Sequence, residues 1–196
     1  MPKIVDHDKQ RVLVAEAAWR IIRKNGMEQA SVRNIAEEAG ISVGSMRHYF
    51  STQSELLLFA MNLVSERVTS RIKRMSFDGH PMDNMKQLLL EFMPNTDEKM
   101  AEMEVWYAFT AKSKTDPAFK ELADAVYNDI RRAVEMAIIT LTELKLFRPD
   151  LNQELEIERL YALIDGLAVH AVLRPDQVNA DLMDEALTLH LNSLCI

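Results

Sequence analysis

Apolar residues recur at helical rather than strand spacing along nearly the whole chain. Over residues 9–25, Val12, Leu13, Ala15, Trp19, Ile21 and Ile22 make a broad apolar stripe, the mark of an amphipathic helix. Asn25-Gly26 closes it, with Arg23 and Lys24 in the last turn, where the helix dipole favours cations. Trp19 is expected to pack beneath the two helices that follow rather than to stack on a base. In residues 31–50, Val32, Ile35, Ala36 and Ala39 fall at i, i+3, i+4, i+7 and so share one face of a second helix. Gly40 supplies a left-handed residue to end it, Ile41 is an apolar plug, and Ser42 is the N-cap of a third helix about two turns long. That third helix concentrates Ser45, Arg47, His48 and Tyr49. Two helices across a short Gly-containing turn form a helix-turn-helix, whose second helix enters the DNA major groove.

The pattern continues as helix. Thr52 and Glu55 fit a capping box, each satisfying the other's backbone donor. A long helix then runs through Leu56, Phe59, Ala60, Leu63, Val64, Val68 and Ile72 to about Met75, roughly 33 Å at about 1.5 Å per residue. Residues 76–81 are the clearest boundary. Beyond them, prolines at 81, 94, 117, 149 and 175 separate helices expected at 82–93, 97–112, 117–144, 152–173 and 180–194. Thr96, Asp116 and Asn179 are the expected caps, with Pro117 at a first helical position. Nothing alternates as a strand does. The fold class is therefore all-α with about nine helices: an N-terminal helix-turn-helix domain at 1–52 and a helical domain at 53–196, with the fourth helix (53–75) as connector.

Charge modifies this picture only slightly. The net charge of −7 argues against a nucleic-acid binder, but the sign is unevenly spread. Residues 1–55 hold eight Lys/Arg (Lys3, Lys9, Arg11, Arg20, Arg23, Lys24, Arg33, Arg47) against seven Asp/Glu, and the remainder fifteen against twenty-three. A locally basic end on an acidic body still offers cations to phosphate. The excess is small, so backbone amides and hydroxyls carry much of the contact. No run approaches the roughly 18 apolar residues of a membrane span. The first ten residues are too polar for a signal peptide, and a lone Cys195 excludes an internal disulfide. The chain is read as cytoplasmic, with no membrane partner. No Glu precedes a His by three residues, and H-E-x-x-H, Walker-type, G-x-S-x-G and G-x-G-x-x-G motifs are absent, so no catalytic residues, metal or cofactor are assigned.

The first 60 residues resemble the N-terminal domain of TetR-family transcriptional regulators. The matching elements are Asn25-Gly26, the run from Ser31 through Val32, Arg33, Asn34 and Ile35 to Ala36, Ala39 with Gly40 to Ser42, Gly44-Ser45, His48 with Tyr49 and Phe50, and Glu55-Leu56. By this resemblance the DNA-contacting positions are Ser31, Arg33, Ser42, Val43, Ser45, Arg47, His48, Tyr49 and Gln53. Gly44 lets its helix lie close to the groove wall or a partner helix, while Ile35, Ala39, Ile41, Met46 and Phe50 belong to the core. Two positions depart from the family: Arg47 stands where tyrosine is frequent, and Gln53 where lysine is frequent. Arginine can touch phosphate or pair bidentately with guanine. Gln53 gives up a charge, so the salt slope of binding should be shallower by about one.

The resemblance also implies a homodimer paired through its last two long helices, bound to a palindromic double-stranded operator and released by a small-molecule effector. Leu160, Leu163, Ile164, Gly166, Leu167 and Ala171 in one helix, and Leu182, Ala186, Leu189 and Leu194 in the last, supply apolar faces for pairing. The same faces also suit packing within one chain. For the effector of unknown identity, Met103, Trp106, Tyr107, Phe109, Tyr127 and Asp165 are the candidate residues. Met82, Met85, Met93, Met100 and Met136 could extend an adaptable apolar cavity. Alternatively, Trp106-Tyr107 with Glu102, Glu104 and Asp165 suit a cation. Ordinary core residues and solvated charges are the plainer account of the same set. His170 reads as an interface histidine. The rival functions are an architectural DNA binder without effector and a helical-bundle enzyme.

Overall fold

The computed structural model describes residues 7–196, so Lys3 of the basic set lies outside the described residues. Nine α-helices occur among them: α1 (His7–Asn25), α2 (Val32–Glu38), α3 (Val43–Met46), α4 (Gln53–Lys73), α5 (Pro81–Leu90), α6 (Asp97–Ser113), α7 (Pro117–Glu143), α8 (Gln153–Leu173) and α9 (Ala180–Ser193). A 3-10 turn, Met27–Gln29, joins α1 to α2. Extended pairing among the described residues is limited to one antiparallel bridge, Phe147 with Cys195, where the Arg148 amide donates to the Leu194 carbonyl at 2.9 Å.

The helix ends have local causes. Ser31, Ser42, Asn152 and Asn179 each accept a hydrogen bond from the amide three residues on, which satisfies one of the donors a helix start leaves free. Thr96 and Asp116 likewise cap α6 and α7. The capping box at α4 is displaced from its expected form. Glu55 does receive the Thr52 cap at its amide (3.1 Å), but its carboxylate accepts from the Ser51 amide (2.9 Å) and hydroxyl (2.7 Å), one residue before the cap. Those Ser51 bonds, hydroxyl first, hold the Glu55 carboxyl below its ordinary value.

The chain forms two compact units. The first comprises the residues up to Arg67 with Glu104–Leu122, and the second Val68–Met103 with Ala123–Ile196. In the first, α1 buries Val14, Ala15, Ala18, Trp19 and Ile22, and α4 buries Leu56, Leu57, Ala60 and Met61. Trp19 is buried rather than open to a base, but its hydrogen bond and ring contact go to α4: the indole N–H donates to the Ala60 carbonyl at 2.9 Å, and the Arg67 guanidinium lies over its ring. Burying an aromatic of this size contributes roughly 3–5 kcal/mol against truncation to alanine. Phe109 and Phe119 stack with centroids 5.5 Å apart, both fully buried.

The second unit is held by α5, α7, α8 and α9 around Leu89, Ile138, Leu160, Ile164 and Leu187. Its edge carries a half-buried ion network around the buried Glu102. Arg71 near the end of α4 donates to Glu91 (2.7 Å) and bidentately to Glu102 (3.0 and 2.7 Å), and Lys99 adds a contact to Glu91 at 2.9 Å. Burial alone would raise the Glu91 carboxyl, but hydrogen bonds from Arg71 and Lys99 outweigh it and hold it below its ordinary value.

The expected pairing faces are only partly free at the surface. Leu160, Ile164 and Ala171 are at most 2% exposed and pack in their own chain's core, so they are not free to meet a partner. Leu167 also packs partly on that core and Leu194 is buried in it. Leu182 and Leu189, by contrast, are 42% and 73% exposed. Leu163, Gly166 and Ala186 are half-buried, and a Cβ at Gly166 would meet nothing within 4 Å.

Candidate nucleic-acid interface

The helix-turn-helix is set by its caps. At the end of α2, Gly40 has φ +68°, the left-handed region that glycine enters without a steric penalty. The Gly40 amide donates to Glu37 (3.1 Å) and the Ile41 amide to Ala36 (3.0 Å), the paired bonds of a Schellman ending. The chain then reverses into Ser42, whose hydroxyl accepts from the Ser45 amide and donates to the Ser45 hydroxyl, both at 2.9 Å.

The third helix is shorter than its sequence implies. It spans four residues, Val43–Met46, and Arg47 is its C-cap. The Met46 carbonyl accepts both the Tyr49 amide (2.9 Å) and the Phe50 amide (3.0 Å). The winding tightens because Phe50 must reach the core, where it is 4% exposed and meets the Phe59 ring at 5.4 Å. Arg47, His48 and Tyr49 therefore project from a turn beyond the helix rather than from its second turn. Arg33, Arg47 and His48 are exposed, Val43 is 37% exposed, and Tyr49 is half-buried.

Three other candidates have local partners. Ser31 and Ser42 are caps. Gln53 donates from its amide to the Ala30 carbonyl at 2.8 Å, so the residue in the usual lysine position ties α4 to the segment before α2. A Cβ on Gly44 would lie 3.7 Å from the Ser42 hydroxyl, an ordinary contact, so nothing within the chain requires glycine there. Of the five positions assigned to the core, Ile35, Met46 and Phe50 are buried, while Ala39 and Ile41 are half-buried.

Sequence reasoning missed His7. Its Nε2 lies 3.2 Å from the His48 carbonyl oxygen, and its ring centroid is 5.1 Å from that of Tyr49. One turn along α1, Arg11 lies over Phe50 (4.7 Å) and Phe59 (4.4 Å). No local pattern signals a contact between residues this far apart in sequence.

The effector candidates divide between the two units. Met103, Tyr127 and Asp165 belong to the second, and Trp106, Tyr107 and Phe109 to the first. Phe109 is a core residue of its own unit. Two carboxylates of the cation arrangement already have partners: Glu102 accepts from Arg71, and Glu104 pairs with Arg23. What does cluster, in the second unit, is Tyr127 with Tyr161 (centroids 5.0 Å apart) and Asp165, whose charge acts on the Tyr161 hydroxyl. Burial first, then Asp165, raises that hydroxyl above its ordinary value. Asp165 is exposed at the surface, yet desolvation by the surrounding protein raises its carboxyl as well. No helix among the described residues is long and apolar enough to cross a membrane.

Comparison with known proteins agrees with this geometry. Residues 14–59 match the family described as bacterial regulatory proteins of the tetR family. Residues 81–196 match the C-terminal domain of BetI-type transcriptional repressors. The chain is 48% identical to the HTH-type transcriptional regulator PksA of Bacillus subtilis (strain 168), covering all of this chain and 95% of that protein. It is 31% identical to the HTH-type transcriptional regulator BetI of Vibrio atlanticus (strain LGP32), over 92% of this chain and 89% of that one. In fold it is similar to a putative transcriptional regulator from Saccharomonospora viridis solved in complex with choline. That likeness has a TM-score of 0.78 and 24% identity, over 95% of each chain. The chain thus belongs to the TetR family of DNA-binding transcriptional regulators, in the branch whose C-terminal domain is that of the BetI-type repressors.

Proposed function

We propose that this protein represses transcription as a homodimer bound to a two-fold symmetric double-stranded DNA operator, and that a small organic molecule bound in its C-terminal domain releases it. The observation that carries the DNA half is the exposed set Arg33, Val43, Arg47 and His48 around a single capped turn. Residues 1–52 are the DNA-binding domain in this reading, 53–196 the effector and dimerisation domain, and α4 the connector. Ser31, Ser42 and Ser45 contribute hydroxyls and the amides they organise, Gly44 leaves room for the groove wall, and Tyr49 offers its hydroxyl to phosphate. Gln53 acts by tying the start of α4 to Ala30, ahead of α2. In this reading the protein works in the cytoplasm and catalyses nothing.

One such motif reads one half-site, so two copies about 34–36 Å apart are required. The pairing surface is the outward side of α8 and α9, with Leu163, Gly166, Leu182, Ala186 and Leu189, extended by the 61% exposed Leu173. The effector site lies in the second unit at Tyr127, Tyr161 and Asp165, with Met103 on the α6 segment of that unit. Effector coupling of about 1–3 kcal/mol changes operator affinity about 5- to 150-fold. Its structural route is α4, continuous from Gln53 to Lys73 and tied by Arg71 to Glu91 and Glu102.

The test is a thermal-shift screen of the purified protein against small metabolites and lipophilic cations, choline among them. Any compound that stabilises it is then added to the protein–DNA complex. Release of DNA by a stabilising compound, lost in Asp165→Asn, supports the reading. DNA affinity unmoved by every stabilising compound leaves an effector-independent DNA binder instead.

A further inference from the structure

The DNA-reading turn is short of internal support. Among the described residues, the backbone bonds of residues 47–49 are short-range ones, from the Arg47 amide to Val43 (3.3 Å), the His48 amide to Ser45 (3.1 Å) and the Tyr49 amide to Met46 (2.9 Å). What holds its outer side comes from the start of α1. His7 and Arg11, one turn apart on α1, meet the consecutive residues Tyr49 and Phe50: His7 ring against Tyr49 ring at 5.1 Å, Arg11 guanidinium over Phe50 at 4.7 Å. Arg11 is further fixed by Glu55 at 3.4 Å. The His48 carbonyl oxygen can only accept, so the His7 Nε2 at 3.2 Å carries the hydrogen.

We propose that His7 is a positioning residue for DNA recognition, which sets the Tyr49 ring and the His48 peptide before DNA arrives. A side chain and peptide already held in the bound geometry lose less freedom on binding. The inference rests on the DNA-binding reading above and adds to it a residue outside the helix-turn-helix. His7 acts through Tyr49 and the His48 peptide and need not touch DNA itself.

The probe is a duplex enriched by the full-length wild-type protein from a random-sequence pool. His7→Ala is expected to weaken binding to it about three- to tenfold, the range of one neutral hydrogen bond, with the melting temperature lowered by no more than about 2–6 °C because His7 is exposed. His7→Gln, which keeps an N–H for the carbonyl, recovers part of that loss. In a Tyr49→Ala background, His7→Ala costs less than in the wild type, because only the bond to the His48 carbonyl is then left to lose. Equal affinity of His7→Ala and wild type overturns the inference, as does the same loss with and without Tyr49, which would make His7 an independent DNA contact. A readout without DNA keeps the two readings separable. In fluorotyrosine-labelled protein, the Tyr49 fluorine resonance moves toward the solvent-exposed position in His7→Ala, and an unmoved resonance overturns the contact. Failure of the wild type to enrich any duplex instead overturns the DNA-binding reading.

Discussion

Arg71→Met is expected to be among the most destabilising single substitutions in the second unit. Arg71 makes three charge-assisted hydrogen bonds, and its partner Glu102 is only 3% exposed. Methionine fills much of the volume but leaves the Glu102 carboxylate buried without its counter-charge, while Glu91 retains Lys99 at 2.9 Å. Stranding one member of a buried ion pair costs about 3–5 kcal/mol. For a chain of this size each kcal/mol lowers the melting temperature by about 2–4 °C, so the expected fall is about 6–20 °C. Calorimetry at neutral pH measures it directly. The double variant Arg71→Met with Glu102→Met removes the stranded charge and should recover most of the loss, because an apolar replacement of a whole buried pair is often near neutral. A fall of less than about 2 °C in the single variant, or strict additivity in the double, would refute the buried-pair reasoning. The network also predicts acid sensitivity. The Glu91 carboxyl is held below its ordinary value of 4.5 in the folded protein, so its contribution is complete above that pH. It is lost as pH falls through the depressed folded value, and melting temperature should decline below about pH 4.5.

Three further outcomes follow from the geometry. Leu189→Glu places a charge on a 73% exposed side chain and should turn dimer into folded monomer by sedimentation velocity, whereas Leu160→Ala in the core should cost about 2–5 kcal/mol of stability; the reverse pattern would restore Leu160 to the pairing surface. Arg47→Ala should relax preference at one base position by about 1–3 kcal/mol, measured by competition among single-base operator variants, and uniform weakening across them would make Arg47 a phosphate contact. Gly40→Ala meets no atom within 4 Å, so the cost of its left-handed backbone, roughly 1 kcal/mol by chemical denaturation, should appear undiluted by a clash.

Helix starts are legible where a cap residue precedes an apolar stripe, because the bond from the Ser45 amide to Ser42 or from the Leu182 amide to Asn179 is local. The end of α3 is not legible, because it is decided by Phe50 entering a core built from distant segments. The facing of α8 is hidden for a different reason. Its apolar residues cover more than one side, so Leu160, which packs inward, and Leu163, which is only half-buried, carry the same periodic signal. Arg71 with Glu91 and Glu102, and His7 with Tyr49, join residues 20 or more apart, and no local spacing predicts such pairs.

The measurement closest to the central claim is selection of duplex DNA from a random pool by the purified full-length protein, followed by affinity for the enriched sequence and a scrambled version at one stated salt concentration. The account predicts an inverted repeat whose half-sites lie about one helical turn apart or a multiple of it. It also predicts preference over the scrambled duplex and affinity that falls as salt rises. Enrichment of no sequence, or equal affinity for the scrambled duplex, would contradict it.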